Sequence, residues 1–426
     1  MAVVTDAETV KHICIKDFDH FVDRRPTAVS GGKDVYTNEF LTAAEGSHWK
    51  GIRSVLSPTF SSGKMKHMFP MIMRKANELN AKLCQETSKE KTIFDMNHYC
   101  GRFTVDVVAS CAFGFEINAI NEDNVEFVDK LAEASKFDML FFLKFIIAPI
   151  FPTLVNTFDL SVWKPFRYHK QILEKSIQTR KETEQLGVYG DFLDLILEAQ
   201  AATNKTNEKL SREVISEDTV IASSVIFLIA GFNTVKDNLV ILLHLLAANP
   251  TEQQTLRKEI QDIIEENGSL NYQSVMEAKF LEACVSEMQR IVPTNGGPIE
   301  RKCTKNYIIP GTKKSIEKNI LVQIPIWSLH HDERYWSDPS TFNPENFMSP
   351  NKQNIVTGSF LPFGLGPRNC IAQRFALMEV KIMVARLVQQ FQLSLAPGRE
   401  ELKLKKGPIM SLDDTMPIVL TPLVEE

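Results

Sequence analysis

The sequence predicts a mainly α-helical body with small β-sheets, an α+β chain in which the strands are the minor part. Three observations carry this. Within residues 70–215, the segments MIMRKANELNAKLCQET, FTVDVVASCAFGF and YHKQILEKSIQTRKETEQL place apolar residues at three- and four-residue spacing, the period of an amphipathic helix. Residues 217–248 run without proline until Asn249-Pro250, which predicts one helix on the order of 48 Å long. Strand-like alternation is confined to short runs, one at 320–326 and two in the tail. The chain of 426 residues has no Pro/Gly/Ser-rich linker and no internal repeat, so a single domain over 1–426 is expected. Hydrophobic residues at 44% and charged residues at 24% are ordinary for a globular protein. A net charge of −5 argues against nucleic acid as a partner, and seven scattered cysteines suit a reducing compartment rather than a disulfide framework.

Taken in order, the amino terminus reads as a strand at 2–4, a turn and a helix. Next, Trp49 and Arg53 stand one helical turn apart, so the indole N–H and the guanidinium share a face; alone, the pair also reads as a surface helix anchored by a tryptophan. The stretch 137–155 is the most apolar in the chain and rich in phenylalanine, but Lys144, Pro149 and Pro152 break it, so it reads as core or as an interfacial piece and not as a span. At the centre of the long helix the sequence is AGFNT: small Ala230 and Gly231 permit close approach of a flat ligand, and Thr234 can bond back to a carbonyl and loosen the helix. A helix over 250–267 ends at Gly268, and the next carries Glu287 and Arg290 at i,i+3 spacing. His330 and His331 are adjacent, diverge on either a strand or a helix, and read as structural.

Chemistry concentrates at residues 363–372, FGLGPRNCIA. Gly364, Gly366 and Pro367 punctuate a turn, and the helical pattern of 371–391 follows, so Cys370 sits at a helix start. There the dipole and nearby Arg368 and Arg374 favour a thiolate. With Phe363, Gly364, Gly366, Arg368 and Cys370 at these offsets, the stretch resembles the haem-ligating loop of the cytochromes P450, FxxGxRxCxG, with Ala372 where the family usually has glycine. The likeness extends over essentially the whole chain, and RSVLSPTFSSGK is similar to that region in animal family-3 and insect family-6 enzymes. A chain beginning at this strand is expected to lack the membrane anchor, hinge and first strand of microsomal members.

The resemblance implies a haem-thiolate enzyme with a b-type haem on Cys370, whose thiolate favours cleavage of an O–O bond, and with Phe363 shielding one haem face. It implies that Trp49, Arg53, Arg301 and, less directly, Arg24 bind the haem propionates; Arg368 belongs to the cysteine loop and Ala230 faces the cofactor. Glu287 and Arg290 become the buried helix-K pair that fixes the loop, with Asn346 in place of an arginine as their third partner. Thr234 becomes the alcohol of the oxygen-activation pair, while Asn233 replaces its acid and cannot exchange a net proton near neutral pH. Gly296, Gly297 and Pro298 fall where substrate passes over the haem. The implied reaction inserts one oxygen atom of O2 into a lipophilic small molecule, with NADPH electrons delivered by cytochrome P450 reductase. The reductase is expected to dock on a basic face formed by Lys50, Lys64, Lys66 and Arg374. The implied location is the cytosolic face of the endoplasmic reticulum, with residues 137–155 touching the bilayer. Asn233 keeps two alternatives open: an isomerase or dehydratase acting on a peroxide without reductase, and an inactive haem-binding protein.

Overall fold

A computed structural model describes the chain except residues 26–31, 123–124, 136–142, 145–150, 152, 154–156, 184–187, 189, 206–214, 295–296, 403, 406–410, 413–414 and 424–426. Gly296 and all of the 137–155 stretch but 143, 144, 151 and 153 therefore lie outside the described residues.

The central helix runs Glu217–Ala248 over 32 residues. Ser216 caps it by accepting the Thr219 N–H at 3.0 Å, Glu217 and Asp218 sit in the positive first turn, and Pro250 forbids continuation past Asn249. It is long and apolar enough by composition to cross a membrane, but its apolar residues face protein on most sides. Its carboxy-terminal half packs into a core with helices Ser62–Thr87, Met96–Phe113, Lys279–Ile291 and Gln373–Gln390, and its amino-terminal half into a second core with Phe40, Trp49, Phe113 and Phe166. The predicted helix over 250–267 appears as Pro250–Asn267, closed by Gly268 in the left-handed region at φ +73°.

Two three-stranded sheets flank this body. In the first, Leu321–Ile324 lies between Ala2–Val3, parallel, and Ile299–Lys302, antiparallel, with Arg301 opposite Val322. The alternating run 320–326 thus yields a shorter strand than its pattern spans, because Pro325 caps the helix Ile326–His330. In the second, Pro417–Pro422 pairs antiparallel with both Ile93–Asp95 and Phe391–Leu395. A small core of Val10, Ile13, Phe21, Val322, Leu329 and Leu361 joins the first sheet to the segment before the cysteine loop.

Candidate functional site

The cysteine loop is held from three directions. Its own turn is closed by Gly364 N–H donating to the Leu361 carbonyl at 3.1 Å and Cys370 N–H to that of Phe363 at 2.8 Å. Gly364 and Gly366 both have φ above +70°, conformations that a side chain resists. On the outer side, residues His12–Lys16 form a wide π-helical turn that brings the Cys14 carbonyl against Gly366, so closely that a Cβ there would lie 1.8 Å from the oxygen.

From the second direction comes the Glu287–Arg290 pair, with no side-chain exposure on either residue. Arg290 donates to both carboxylate oxygens of Glu287, at 2.8 and 2.7 Å, and to the carbonyls of His330, Pro339 and Thr341. Asn346 donates its amide to Glu287 Oε1 at 3.2 Å, a neutral hydrogen bond at the position expected to carry a charge, and Asn343 N–H reaches the same oxygen at 3.0 Å. The network continues into the loop: His330 Nε2 accepts the Leu361 N–H at 2.7 Å, so its proton sits on Nδ1, facing the Arg290 carbonyl at 3.2 Å. Burial pushes the His330 pKa down to about 3, which keeps that tautomer neutral. His331 turns away to stack on Trp327 at 4.0 Å, so the two histidines diverge as expected.

The third support is Arg53, whose guanidinium donates to the Asn369 backbone carbonyl at 2.8 Å and to Asn369 Oδ1 at 2.9 Å. It grips the residue before Cys370, an occupation that the spacing from Trp49 does not reveal. Trp49 is buried and carries the Arg368 guanidinium over its ring at 4.3 Å.

Cys370 itself is exposed, in a loop that is mostly half-buried and in which Arg368 is the buried side chain. Its thiol pKa is raised: the enclosing protein disfavours the thiolate, and the Ala372 N–H, Arg53 and Arg24 oppose this only in part. The expectation that Arg368, Arg374 and a helix start make it a thiolate needs correction. The helix begins three residues later, at Gln373; Arg374 donates to Ser62, and Arg368 is turned toward Trp49 and the Ala44 carbonyl.

On the central helix Ala230 and Thr234, one turn apart, are exposed while most of the residues around them are buried or half-buried. The Thr234 hydroxyl donates to the Ala230 carbonyl at 2.6 Å, and the helix continues unbroken through that bond, without the loosening expected. Ala230 faces the opening, but Gly231 does not: a Cβ there would lie 2.9 Å from Val108 Cγ2, so this glycine lets two helices approach instead of admitting a flat ligand. Asn233 donates its amide to the Ser135 carbonyl at 3.4 Å. One turn on, Asn238 donates to the Thr234 carbonyl at 2.6 Å and to Thr294 Oγ1 at 3.0 Å, and accepts from Gln289 at 3.0 Å. This bridge from the central helix to the turn before Gly297 has no motif to announce it.

Near Cys370 lies a group of cations. Arg301 and Arg368 are almost fully buried, and Arg24 is half-buried beside them. Burial and mutual repulsion push Arg24 down to about 10 and Arg368 to about 9. Among the described residues, Arg24 Nε, Arg301 Nε, and Arg368 Nε and Nη1 are buried without hydrogen-bond partners. Among the described residues none of the three guanidiniums forms an ion pair with a carboxylate, although Asp23, Glu45 and Glu300 offset part of their charge; such a cluster fits a polyanion, and the chemistry of a haem with two propionates matches that requirement while Cys370 offers a sulfur ligand.

A sequence profile of the cytochrome P450 family matches residues 1–421. Cytochrome P450 3A11 of Mus musculus is 33% identical over 427 residues, 99% of this chain and 82% of the mouse protein. Cytochrome P450 3A7 of Homo sapiens is 33% identical over 431 residues, with the same coverage. Cytochrome P450 9e2 of Blattella germanica is 34% identical over 439 residues, 96% of this chain and 81% of the insect protein. With these likenesses along its whole length, the chain belongs to the cytochrome P450 family of haem-thiolate monooxygenases.

Proposed function

We propose that this protein inserts one oxygen atom of O2 into a lipophilic small molecule, with a haem that the Cys370 sulfur would hold and NADPH electrons delivered through cytochrome P450 reductase at the cytosolic face of the endoplasmic reticulum. The observation that carries the reading is the cluster of guanidiniums with buried, unpartnered nitrogens beside an accessible cysteine, together with the exposed Ala230–Thr234 step. When bound, a thiolate-ligated haem supplies oxygen activation.

The chain's own residues do the rest. Arg24, Arg301 and Arg368 would hold the propionates, with the Arg368 guanidinium seated on the Trp49 ring. Phe363 and the turn around it screen the sulfur from water, and Arg53 fixes Asn369 so that Cys370 keeps its aim. Ala230 leaves room where substrate and cofactor meet. The Thr234 hydroxyl, with its hydrogen on the Ala230 carbonyl, keeps its lone pairs free to accept a hydrogen bond from water; by switching partner it passes a proton toward the opening. Asn233 orders water without delivering a proton of its own.

For the reductase, the recess of about 480 Å³ on the outer side of the loop, lined by Lys16, Lys50 and Arg53 with one carboxylate, Asp19, offers a net basic surface to an acidic partner, although Lys16 is paired with Glu8 at 2.9 Å. The cations expected there differ in availability, since Lys50 is 3.3 Å from Asp19 and Arg374 is engaged by Ser62. The exposed Leu143 and Phe151 support bilayer contact by this region. The test is oxygen uptake by the haem-loaded protein with reductase and NADPH. Uptake that requires both and converts a lipophilic probe is expected. Conversion of an organic peroxide without either, and no oxygen uptake, would overturn the reading in favour of an isomerase.

A further inference from the structure

Asn233 leaves the proton path without an acid, and the central helix holds one nearby. Asp237 follows Asn233 by four residues and Thr234 by three. At 100° per residue it lies about 40° from the first and about 60° from the second, on the arc between them and about 5.4 Å further along the axis. The helix is regular throughout, so this placement holds.

Two buried polar atoms mark the same neighbourhood. Asp237 Oδ1 is paired with Lys236 Nζ at 3.0 Å, and among the described residues no other group donates to this buried oxygen. Ser135, whose carbonyl receives the Asn233 amide, has a buried hydroxyl without a hydrogen-bond partner among the described residues. One of these atoms belongs to the residue that Asn233 bonds and the other lies one helical turn on, and buried polar atoms of this kind call for ordered water. Asp237 is also well suited to carry a proton. Burial raises its pKa more than Lys236 lowers it, while Lys236 offsets the charge left after a proton departs. Its side chain keeps 15% exposure, enough for exchange with bulk solvent.

We propose that Asp237 supplies, through ordered water and from one helical turn away, the acid that position 233 lacks, donating protons toward the Thr234 hydroxyl. This rests on the monooxygenase reading. Reducing one oxygen atom of O2 to water while inserting the other consumes two electrons from NADPH and two protons. Asp237 passes such a proton to water, the water passes one to Thr234 as that hydroxyl releases its own, and the carboxylate is reprotonated from solvent.

The test uses haem-loaded wild type, Asp237→Asn, Asp237→Glu, Thr234→Val and the double variant Asn233→Asp/Asp237→Asn. Infrared difference spectra, without turnover, should show a protonated carboxyl band that Asp237→Asn deletes and Thr234→Val shifts; buried Glu379 contributes a separate band that persists in both. In turnover with reductase, NADPH and diphenylmethane as probe, Asp237→Asn should lower the yield of product per NADPH about 10-fold, with a matching rise in peroxide. Asp237→Glu should retain most of the yield, and Asn233→Asp should restore it in the double variant. Loss of the band without loss of yield, or the reverse, overturns the proposal, as does a double variant no better than Asp237→Asn. If wild type takes up no oxygen, the monooxygenase reading fails separately. The infrared arm then decides, and an Asp237 band unmoved by Thr234→Val overturns the water link.

Discussion

Gly364 and Gly366 offer a controlled pair of perturbations at the cysteine loop. Their φ angles are +76° and +73°, so alanine at either position carries the left-handed penalty of about 1–2 kcal/mol. Their surroundings differ. A Cβ at Gly364 meets nothing nearer than the Asn369 Cα at 3.7 Å, an ordinary contact, whereas at Gly366 it lies 1.8 Å from the Cys14 carbonyl oxygen. Contacts of this kind rarely fall below 3.0 Å, so Gly366→Ala must part the loop from the π-helical turn by about 1.2 Å, the difference of the two. Since both partners are backbone, no rotamer relieves it, and overpacking adds about 1–3 kcal/mol, for a total of roughly 2–5 kcal/mol. By the per-residue entropy of unfolding, a chain of this length shifts its Tm by about 1 °C per kcal/mol. Gly364→Ala should therefore lower Tm by about 1–2 °C and keep its haem. Gly366→Ala should lower it by about 2–5 °C and lose haem on gel filtration, because the displacement sits four residues from Cys370. Equal effects of the two substitutions on Tm and haem content would refute the reasoning.

Other outcomes follow from the same geometry. Arg301→Gln should leave the haem-free protein as stable as wild type or slightly more so, since it relieves repulsion among buried cations, yet speed haem loss about 10-fold or more; slower haem loss would contradict the assignment. Glu287→Ala strands Arg290 without its counter-charge and should cost about 3–5 kcal/mol in urea unfolding, whereas Asn346→Arg, adding a charge-assisted bond to Glu287 Oε1, should raise the midpoint. Glu379 is fully buried with both oxygens unpartnered among the described residues, and burial raises its pKa well above 4.5. A carboxyl raised on folding contributes most below its unfolded pKa, and that contribution is lost as pH climbs through the folded value. Glu379→Gln should therefore flatten the decline of Tm with rising pH above the unfolded carboxyl range; an unchanged slope would show that Glu379 is not the titrating group.

Much of the helical scaffold is legible in the sequence because its signals are local. Ser216, the apolar run and Asn249-Pro250 mark the central helix at both ends, and Gly268 marks the next. The cysteine loop is legible because its glycines and Cys370 stand at fixed offsets. What sequence does not reveal is where a long side chain is turned once distant segments meet. Arg368 stacks on Trp49, 319 positions earlier, and Arg53 grips Asn369, 316 positions later, contacts that their neighbours in sequence do not announce. Gly231 misleads for the same reason: its role is set by Val108 on another helix. The Asn238–Gln289–Thr294 bridge and Asp237 belong to no motif, and only burial combined with unsatisfied hydrogen-bonding atoms brings Asp237 to notice.

The central claim is that the accessible sulfur of Cys370 ligates a haem whose propionates the buried arginines neutralise. Its most direct test is the difference spectrum of the reduced, haem-loaded protein with and without carbon monoxide, for wild type and Cys370→Ser. The account predicts the long-wavelength Soret band of a thiolate-bound haem in wild type and its loss in the variant. A histidine-type band in wild type, or the same spectrum from both proteins, would contradict it.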